Sequence, residues 1–258
     1  MNLIEQNLDD IGILTIMLHR PEKLNALNDE LLDELTKIFA YAQQEPNIKA
    51  LLLTGMGKAF CAGADLIKLN QCNAQSGYEF ACKGQEIFHQ LESLGKPSIA
   101  AIHGFALGGG CELAMAATLR IATSNAQFGQ PEIKLGVIPG YGGTQRLARL
   151  IGKGRALDLC LTGRFINAET ALNWGLITHI FPSDSLIVEG KKLLQQIITL
   201  APLALTSIME VINYGYDLSL AAALHLEAVH FAKVCASKDK QEGVSAFLQK
   251  RQAVFTGE

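Results

Sequence analysis

The sequence predicts an α/β domain followed by a smaller region that contains helices only. Three observations lead to this fold class. As far as Asp184, short apolar segments of strand length alternate with glycine-bearing loops and amphipathic helices. Beyond that residue the pattern is helical. The chain of 258 residues is also long enough to bury a sizeable core without disulfides or structural metals.

The first elements alternate in the order strand, helix, strand, helix. Ile11 to Leu18 is apolar on both alternating faces, a pattern typical of a buried strand. Asn28 can cap the next segment, in which apolar residues recur at helical spacing to about Gln43. Ala50 to Thr54 predicts a second buried strand, and we expect the second helix within Gln75 to Leu94.

The same alternation continues toward the C-terminus. We expect further strands at Pro97 to Ile102, Leu119 to Thr123 and Ile177 to Phe181. Further helices are expected at Gly110 to Ala117, Thr144 to Ile151, Lys153 to Leu161 and Asn167 to Gly175, with a Gly/Pro-rich stretch at 127–143. Because proline disfavours helical geometry in the residue before it, Ala201-Pro202 predicts a helix break. We therefore divide the chain into an α/β domain, residues 1–200, and a helical region, residues 201–258.

Composition limits the partners. The 22 Lys and Arg residues against 25 Asp and Glu residues give a net charge of -3, so no global basic field attracts nucleic acid or anionic membranes. An anionic ligand must be held locally. The six cysteines form no CxxC pair, and the first residues lack a basic segment followed by an apolar one. We therefore expect reduced thiols and a cytoplasmic protein with no membrane partner.

Three glycine-bearing stretches are the candidate functional segments: 58–65, 106–112 and 129–144. Gly108-Gly109-Gly110 follows a strand and opens a helix, where free backbone N–H groups and the helix dipole favour an anion or a developing oxyanion. Taken alone, the same glycines are explained by a tight strand-to-helix turn. A phosphate loop is excluded, because no Gly-Lys-Ser/Thr follows and the GxGxxG spacing is absent.

Two glutamates accompany these glycines. Glu112 lies in the first helical turn, where the macrodipole alone favours a carboxylate, and Glu132 follows a proline in a loop, where side chains are usually solvated. Together, however, two carboxylates near a possible oxyanion site supply the groups for acid–base chemistry on a carbonyl compound. The six histidines offer no matched ligand pair, so we expect no metal site.

In order and spacing, these segments resemble the enoyl-CoA hydratase/isomerase (crotonase) family over nearly the whole chain. The similar segments are 19–27, 59–65, 104–112, 127–147 and 242–247. The resemblance implies a crotonase-like spiral of ββα units with a C-terminal helical region that forms trimers, usually stacked in pairs as hexamers. It also implies an acyl-CoA substrate that carries its own coenzyme A, with no cofactor and no metal.

The resemblance also implies roles for individual residues. Backbone N–H groups of Ala64 and Gly109 would form the oxyanion hole. Glu132 would deliver a proton to C2 of the acyl chain, while Glu112 would position the water and act as base. Contacts with the substrate and its coenzyme A are expected from Lys23, Ala26, Ala62, Ala64, Asp65, Leu66, Ile67, Gly109, Tyr141, Phe247 and Lys250. The last two would meet the adenine end and the 3′-phosphate of a ligand in a neighbouring subunit.

Hydration of a trans-2-enoyl-CoA is thus the expected reaction. One alternative is a Δ3,Δ2-enoyl-CoA isomerase, which needs a single base and commonly lacks a carboxylate at the position of Glu112. Another is RNA binding, which some relatives perform through a lysine-rich helix, but Gln75 to Leu94 contains Lys83 beside three glutamates. A structural trimer without activity would leave the glutamate pair unexplained. Tyr141, where the short-chain hydratases often have alanine, leaves the preferred acyl length open.

Overall fold

The computed structural model describes residues 3–258. Within them the strands are β1 (Ile4–Leu8), β2 (Ile13–Leu18), β3 (Ala50–Gly55), β4 (Ser98–Ile102), β5 (Phe105–Leu107), β6 (Leu119–Thr123), β7 (Gln127–Gly129), β8 (Phe165–Asn167) and β9 (His179–Phe181). The helices are α1 (Asp29–Gln44), α2 (Leu66–Asn70), α3 (Ala74–Glu92), α4 (Gly109–Ala116), α5 (Gly143–Ile151), α6 (Lys153–Thr162), α7 (Ala168–Trp174), α8 (Leu186–Ile198), α9 (Pro202–Gly215), α10 (Leu220–Cys235) and α11 (Lys238–Leu248).

The larger sheet has the strand order β1-β2-β3-β4-β6-β9, with β1 antiparallel to β2 and the other neighbours parallel. Its two faces are both buried. On one face, Leu14, Leu51 and their neighbours pack in the main core, and on the other Ile13 and Leu52 pack with residues of α8. Helix α8 approaches closely because a methyl group at Gly190 would lie 2.8 Å from the Leu52 side chain. This two-sided burial explains the near-continuous apolar strands of the sequence.

The smaller sheet positions the functional segments. Strand β7 pairs in parallel with β5 and antiparallel with β8. The segment at Cys61 joins the open side of β5 by donating to Phe105 O (2.9 Å) and accepting from Leu107 N (3.1 Å). The chain after Cys61 is therefore held beside the turn that leads from β5 into α4.

The C-terminal helices differ from the rest of the chain in burial. Helix α10 has no buried residue, and α9 buries only Ser207 and Gly215. Large apolar side chains are exposed along these helices: Ile208, Ile212, Leu220, Leu224, Val229, Phe231, Phe247 and Leu248. The helix break at residue 201 lies between α8 and α9, while the division of function at residue 200 remains a prediction.

Several elements depart from the sequence-based expectations. Strands β5, β7 and β8 have three residues each, too few for alternation to register, and β1 buries only Ile4. Assigning Ile11 to a buried strand was wrong, because it is 38% exposed in the turn before β2. That turn is set by Asp9, which accepts from Ile13 N through Oδ1 (2.9 Å), and by Gly12 at φ +95°.

Within residues 3–258, no single helix is long and apolar enough to cross a bilayer. Helices α8 and α9 reach the required length and composition only when taken together, and they are bent by 105° at the break between them.

Candidate active site

Two backbone N–H groups lie close together beside the start of α4. A methyl group built at Gly109 would lie 3.3 Å from Ala64 N, and one built at Gly63 would lie 3.7 Å from Gly109 N. Within the described residues neither Ala64 N nor Gly109 N has a hydrogen-bond acceptor. The two amides are therefore free to donate to one oxygen atom from outside the chain.

Gly108 makes this geometry possible. Its φ of 50° and ψ of -126° lie in a region open essentially to glycine alone. Gly108 N donates to Gly129 O (2.9 Å) of β7, and Gly108 O accepts from Glu112 N (2.9 Å) to begin α4. The turn thus directs the first N–H of α4 out of the helix and places Glu112 one turn further on.

Glu112 is held by the loop that precedes α5. The side chain is 1% exposed, and its Oε1 accepts from Tyr141 N (2.8 Å) and Gly143 N (2.6 Å). Because Gly143 is the first residue of α5, the carboxylate lies at a helix N-terminus, where negative charge is favoured. Two directed N–H bonds fix the orientation of this carboxylate.

Glu132 also lies beside the Gly108 turn. It belongs to a 3-10 helix at Pro131–Leu135, and its Oε1 would lie 2.6 Å from a methyl group at Gly108. The amide of buried Gln130, with its nitrogen turned toward Glu132, lies 3.1 and 3.2 Å from the two carboxylate oxygens. The structure therefore brings Glu112, Glu132, Ala64 and Gly109 together around the Gly108 turn.

Both carboxyl groups hold protons more tightly than usual. Burial raises the pKa of Glu112 to about 8, with a further contribution from the charge of Glu132 and opposition from its two backbone hydrogen bonds. Burial raises the pKa of Glu132 to about 7. Because the charge of Glu132 acts on Glu112, the two groups titrate as a pair that retains a proton at neutral pH. Such a pair can donate one proton and accept another.

Tyr141 fills the space next to the free amides. Its ring lies between Gly84 of α3 and Gly109, where a methyl group at Gly84 would overlap the ring and one at Gly109 would lie 3.2 Å from it. The rings of Phe80 and Phe88 pack at centroid distances of 5.0 and 5.5 Å. The phenol oxygen is buried without a hydrogen-bond partner in the described residues, and burial raises its pKa far above the ordinary value.

The segment 20–27 lies alongside the segment that carries Ala64. Ala62 N donates to Leu24 O (2.9 Å), Leu27 N to Gly63 O (2.8 Å) and Asp65 N to Leu27 O (2.9 Å). These bonds bring one group of the expected substrate-contacting residues onto one surface: Lys23, Ala26, Ala62, Ala64 and Asp65, continued by Leu66 and Ile67 in α2. Leu66 and Ile67 are 58% and 68% exposed, which suits contact with a ligand.

Phe247 and Lys250 lie at and just beyond the end of α11. Phe247 is 83% exposed at the end of α11, and Lys250 follows it with φ +55°, a left-handed conformation that ends the helix. No hydrogen bond, ion pair or aromatic contact in residues 3–258 links either side chain to the glutamate pair. Their expected contact with a neighbouring subunit's ligand remains a prediction.

Some supporting residues were missed by the sequence analysis. Arg20 donates to Ala26 O (2.5 Å) and pairs with Asp65 (3.3 Å). Asn25, fully buried at φ +58°, donates through Nδ2 to Met56 O (2.9 Å) and Ala59 O (2.8 Å). Two signals pointed to Asn25: it lies in the segment 19–27 that resembles the family, and asparagine tolerates left-handed geometry. Arg20 and Arg146 lie in the segments 19–27 and 127–147 that resemble the family, but the sequence assigned neither side chain a role.

Comparison with known proteins shows which family the chain resembles over its length. The model of the enoyl-CoA hydratase/isomerase family matches residues 9–258. The short-chain-enoyl-CoA hydratase of Clostridium acetobutylicum is 40% identical over 252 residues, covering 97% of this chain and 96% of that protein. The crotonyl-CoA hydratase of Syntrophomonas wolfei is 41% identical over 255 residues, covering 98% and 97%. The crystal structure of enoyl-CoA hydratase from Bacillus anthracis has a TM-score of 0.95 at 37% identity and covers 100% of both chains.

These similarities extend over the α/β domain and the C-terminal helices alike. They confirm the predicted resemblance and the crotonase-like α/β spiral with its C-terminal helices. The chain belongs to the enoyl-CoA hydratase/isomerase family.

Proposed function

We propose that this protein is an enoyl-CoA hydratase that adds water across the 2,3-double bond of a short trans-2-enoyl-CoA to give a 3-hydroxyacyl-CoA. The observation that carries the proposal is the pairing of a buried carboxyl, Glu112, and a half-buried one, Glu132, with two free amides at one turn. Glu112 and Glu132 can handle the water and its protons, while Ala64 N and Gly109 N can hold an oxygen. The names and full-length similarity of the two curated relatives support the same activity.

The amides act on the thioester oxygen. When hydroxide adds at C3, negative charge moves through the conjugated system onto that oxygen, so donors at Ala64 and Gly109 strengthen their bonds in the transition state. The loss of one such donor typically costs about 3 kcal/mol. The position of Gly109 at the start of α4 adds the positive end of the helix dipole.

The carboxyls divide the proton transfers between them. Glu112, oriented by two N–H bonds, accepts a proton from the attacking water, and Glu132 delivers a proton to C2. In the free site Glu112 has the higher pKa and holds the proton of the pair. This division of roles therefore requires the proton to pass to Glu132 when the thioester and water bind.

Tyr141 limits the acyl group to a short chain. Its ring fills the space next to Gly109, and Phe80 and Phe88 pack against the ring. The two curated relatives are named for short-chain and crotonyl substrates, which agrees with a small acyl pocket.

The coenzyme A enters as part of the substrate. Lys23, Ala26, Asp65, Leu66 and Ile67 would contact it from the same chain. Phe247 and Lys250 would contact it from a neighbouring chain in a trimer, or in a hexamer built from two trimers. The exposed apolar faces of α9 to α11 support assembly. We further propose a cytoplasmic enzyme that uses no cofactor or metal and has neither nucleic acid nor membrane as partner.

A substrate panel tests the proposal. Purified protein is mixed with 2-enoyl-CoA thioesters of four to twelve carbons, and the loss of the conjugated thioester absorbance is followed before and after prolonged chelator treatment. We expect fastest hydration of the four-carbon substrate and no effect of the chelator. A parallel assay with 3-enoyl-CoA measures isomerisation. Isomerisation without hydration would contradict the proposal, and a loss restored by zinc or magnesium would contradict its metal-free chemistry.

A further inference from the structure

Arg146 of α5 joins three parts of the fold that surround Glu112. Its Nε and Nη2 donate to the two oxygens of Glu92 at the end of α3 (2.6 and 2.7 Å), a side-on bidentate pair. Its Nη1 donates to Tyr141 O (2.7 Å). The Arg146 side chain is only 15% exposed, so solvent screens these bonds less than it screens surface pairs.

The same peptide segment holds Glu112. Tyr141 gives its carbonyl to Arg146 and its N–H to Glu112 Oε1, and Gly143 gives a second N–H to that oxygen. Between them, Gly142 has φ +103°, and a methyl group there would clash with the Arg146 guanidinium. The loop is therefore shaped to admit the guanidinium on one side and the carboxylate on the other.

We propose that Arg146 and Glu92 are positioning residues that hold the loop amides of Tyr141 and Gly143 in place and thereby orient Glu112 for attack by water. Neither side chain touches the reacting atoms. Glu92 fixes the guanidinium plane, the guanidinium fixes the Tyr141 peptide, and that peptide directs its N–H at Glu112. The kinetic part of this inference rests on the proposed hydratase function.

The chemistry of the two partners favours this role over that of an ordinary tie between helices. An ion pair that only links two helices needs just two opposite charges, whereas the Arg146 guanidinium also donates a third hydrogen bond, to the peptide that binds Glu112. The positive charge of Arg146 also favours the ionised form of Glu112. Loss of the bidentate pair should therefore weaken the hydrogen bonds from Tyr141 N and Gly143 N to Glu112, impair catalysis and raise the pKa of Glu112.

The test compares Arg146→Lys, which keeps the charge but loses the fork, with Glu92→Gln and with the double variant. Arg149→Lys on the same helix is the matched control, because Arg149 pairs with exposed Asp217 (3.1 Å) and, within residues 3–258, donates otherwise only to Gln145. For crotonyl-CoA we expect Arg146→Lys and Glu92→Gln each to lower kcat by about 10-fold or more, while KM changes by less than about 3-fold. The double variant should be no worse than the worse single variant, and Arg149→Lys should resemble wild type.

A second measurement does not depend on turnover. Carboxyl carbons of 13C-labelled glutamate are titrated by NMR, with the Glu112 signal assigned by its absence in Glu112→Gln. We expect the Glu112 titration to move to higher pH in Arg146→Lys and in Glu92→Gln but not in Arg149→Lys. If Arg146→Lys and Glu92→Gln only lower Tm, with kcat and the Glu112 titration at wild-type values, the ion pair serves only to stabilise the fold and the inference is wrong. If the wild-type protein hydrates no enoyl-CoA, the proposed function is wrong. If the pH of the Glu112 titration is the same in wild type and in the two variants, the positioning role of Arg146 and Glu92 is wrong, whatever the activity.

Discussion

Glu112 and Glu132 meet at the Gly108 turn, where burial and mutual repulsion keep one proton between them. Since both would touch the same water, they should act as a unit. We expect Glu112→Gln and Glu132→Gln each to lower kcat by at least about 100-fold, with the double variant little worse than either. Binding of a saturated acyl-CoA, measured by calorimetry, should survive in all three. Wild-type hydration by Glu112→Gln would exclude this carboxyl from the chemistry.

The same pair makes stability depend on pH. The pKa of Glu112 rises from 4.5 to about 8 on folding and that of Glu132 to about 7, so the folded chain binds these protons more tightly than the unfolded chain. Their stabilising contribution is complete below about pH 4.5 and is lost as the pH rises toward about 8. We expect Tm to fall over this interval more steeply in wild type than in the double variant Glu112→Gln/Glu132→Gln. Parallel Tm curves would show that these groups do not carry the dependence.

Tyr141 offers a test of acyl length at a single position. Its ring occupies the space between Gly84 and Gly109, so Tyr141→Ala should open room beside the free amides. We expect the ratio of kcat/KM for the eight-carbon over the four-carbon substrate to rise by about 10-fold or more, the scale of a few buried methylenes. Tyr141→Phe keeps the volume and should keep the wild-type ratio. An unchanged ratio in Tyr141→Ala would place the acyl chain elsewhere.

At the scale of elements, the turn between β5 and α4 carries the site, and its geometry leaves no room for a side chain at Gly108. We expect Gly108→Ala to lower kcat by about 10-fold or more, because the methyl group would meet Glu132 Oε1 at 2.6 Å. Gly136→Ala is the control, since Gly136 also has a positive φ (75°) but no atom of residues 3–258 lies within 4 Å of its added methyl. Both variants should lose stability in urea unfolding. The loss should be about 1–2 kcal/mol for Gly136→Ala, from left-handed strain, and about 1–3 kcal/mol for Gly108→Ala, whose φ and ψ are open essentially to glycine alone. Equal kcat values would show that the turn tolerates displacement of Glu132.

The elements that could be predicted from sequence are those whose signal is local. The structure confirms the predicted helix α1, which was signalled by the Asn28 cap and a repeating apolar stripe. It also confirms the predicted strand β3, which was signalled by a run of apolar residues. Strands β5, β7 and β8 could not be predicted, since three residues gain their meaning only from pairing across the fold. The site divides in the same way. Glu112 and Gly109 were signalled by their helix start, whereas Arg146 depends on a partner 54 residues away.

In the molecule as a whole, helices α9 to α11 expose more apolar surface than a soluble monomer usually leaves in contact with water. The chain end strengthens the position of α11, since Asp239, 2% exposed, accepts from Thr256 N (2.7 Å) and Gly257 N (2.9 Å). The tail therefore fixes the helix that presents Phe247 and Lys250. In an assembly of identical chains, both side chains would be available to a neighbour's ligand.

That arrangement makes a prediction for Lys250. In a protein of net charge -3, a 3′-phosphate must be met by a locally placed cation. Lys250→Ala should raise KM for crotonyl-CoA by about 3- to 10-fold with kcat at saturation nearly unchanged, because the phosphate contact is equal in the ground and transition states. The effect should vanish with the 3′-dephospho substrate.

Lys250→Gln is the companion variant, since it removes the charge while keeping a long side chain at the left-handed position that ends α11. It should reproduce the Lys250→Ala result, because the argument rests on charge and not on helix termination. An equal rise in KM for both substrates would show that Lys250 does not meet the phosphate. An unchanged KM, with the oligomer intact by sedimentation, would assign the end of α11 to assembly alone. The dependence on the 3′-phosphate therefore separates ligand binding from subunit packing, which a loss of activity alone would leave combined.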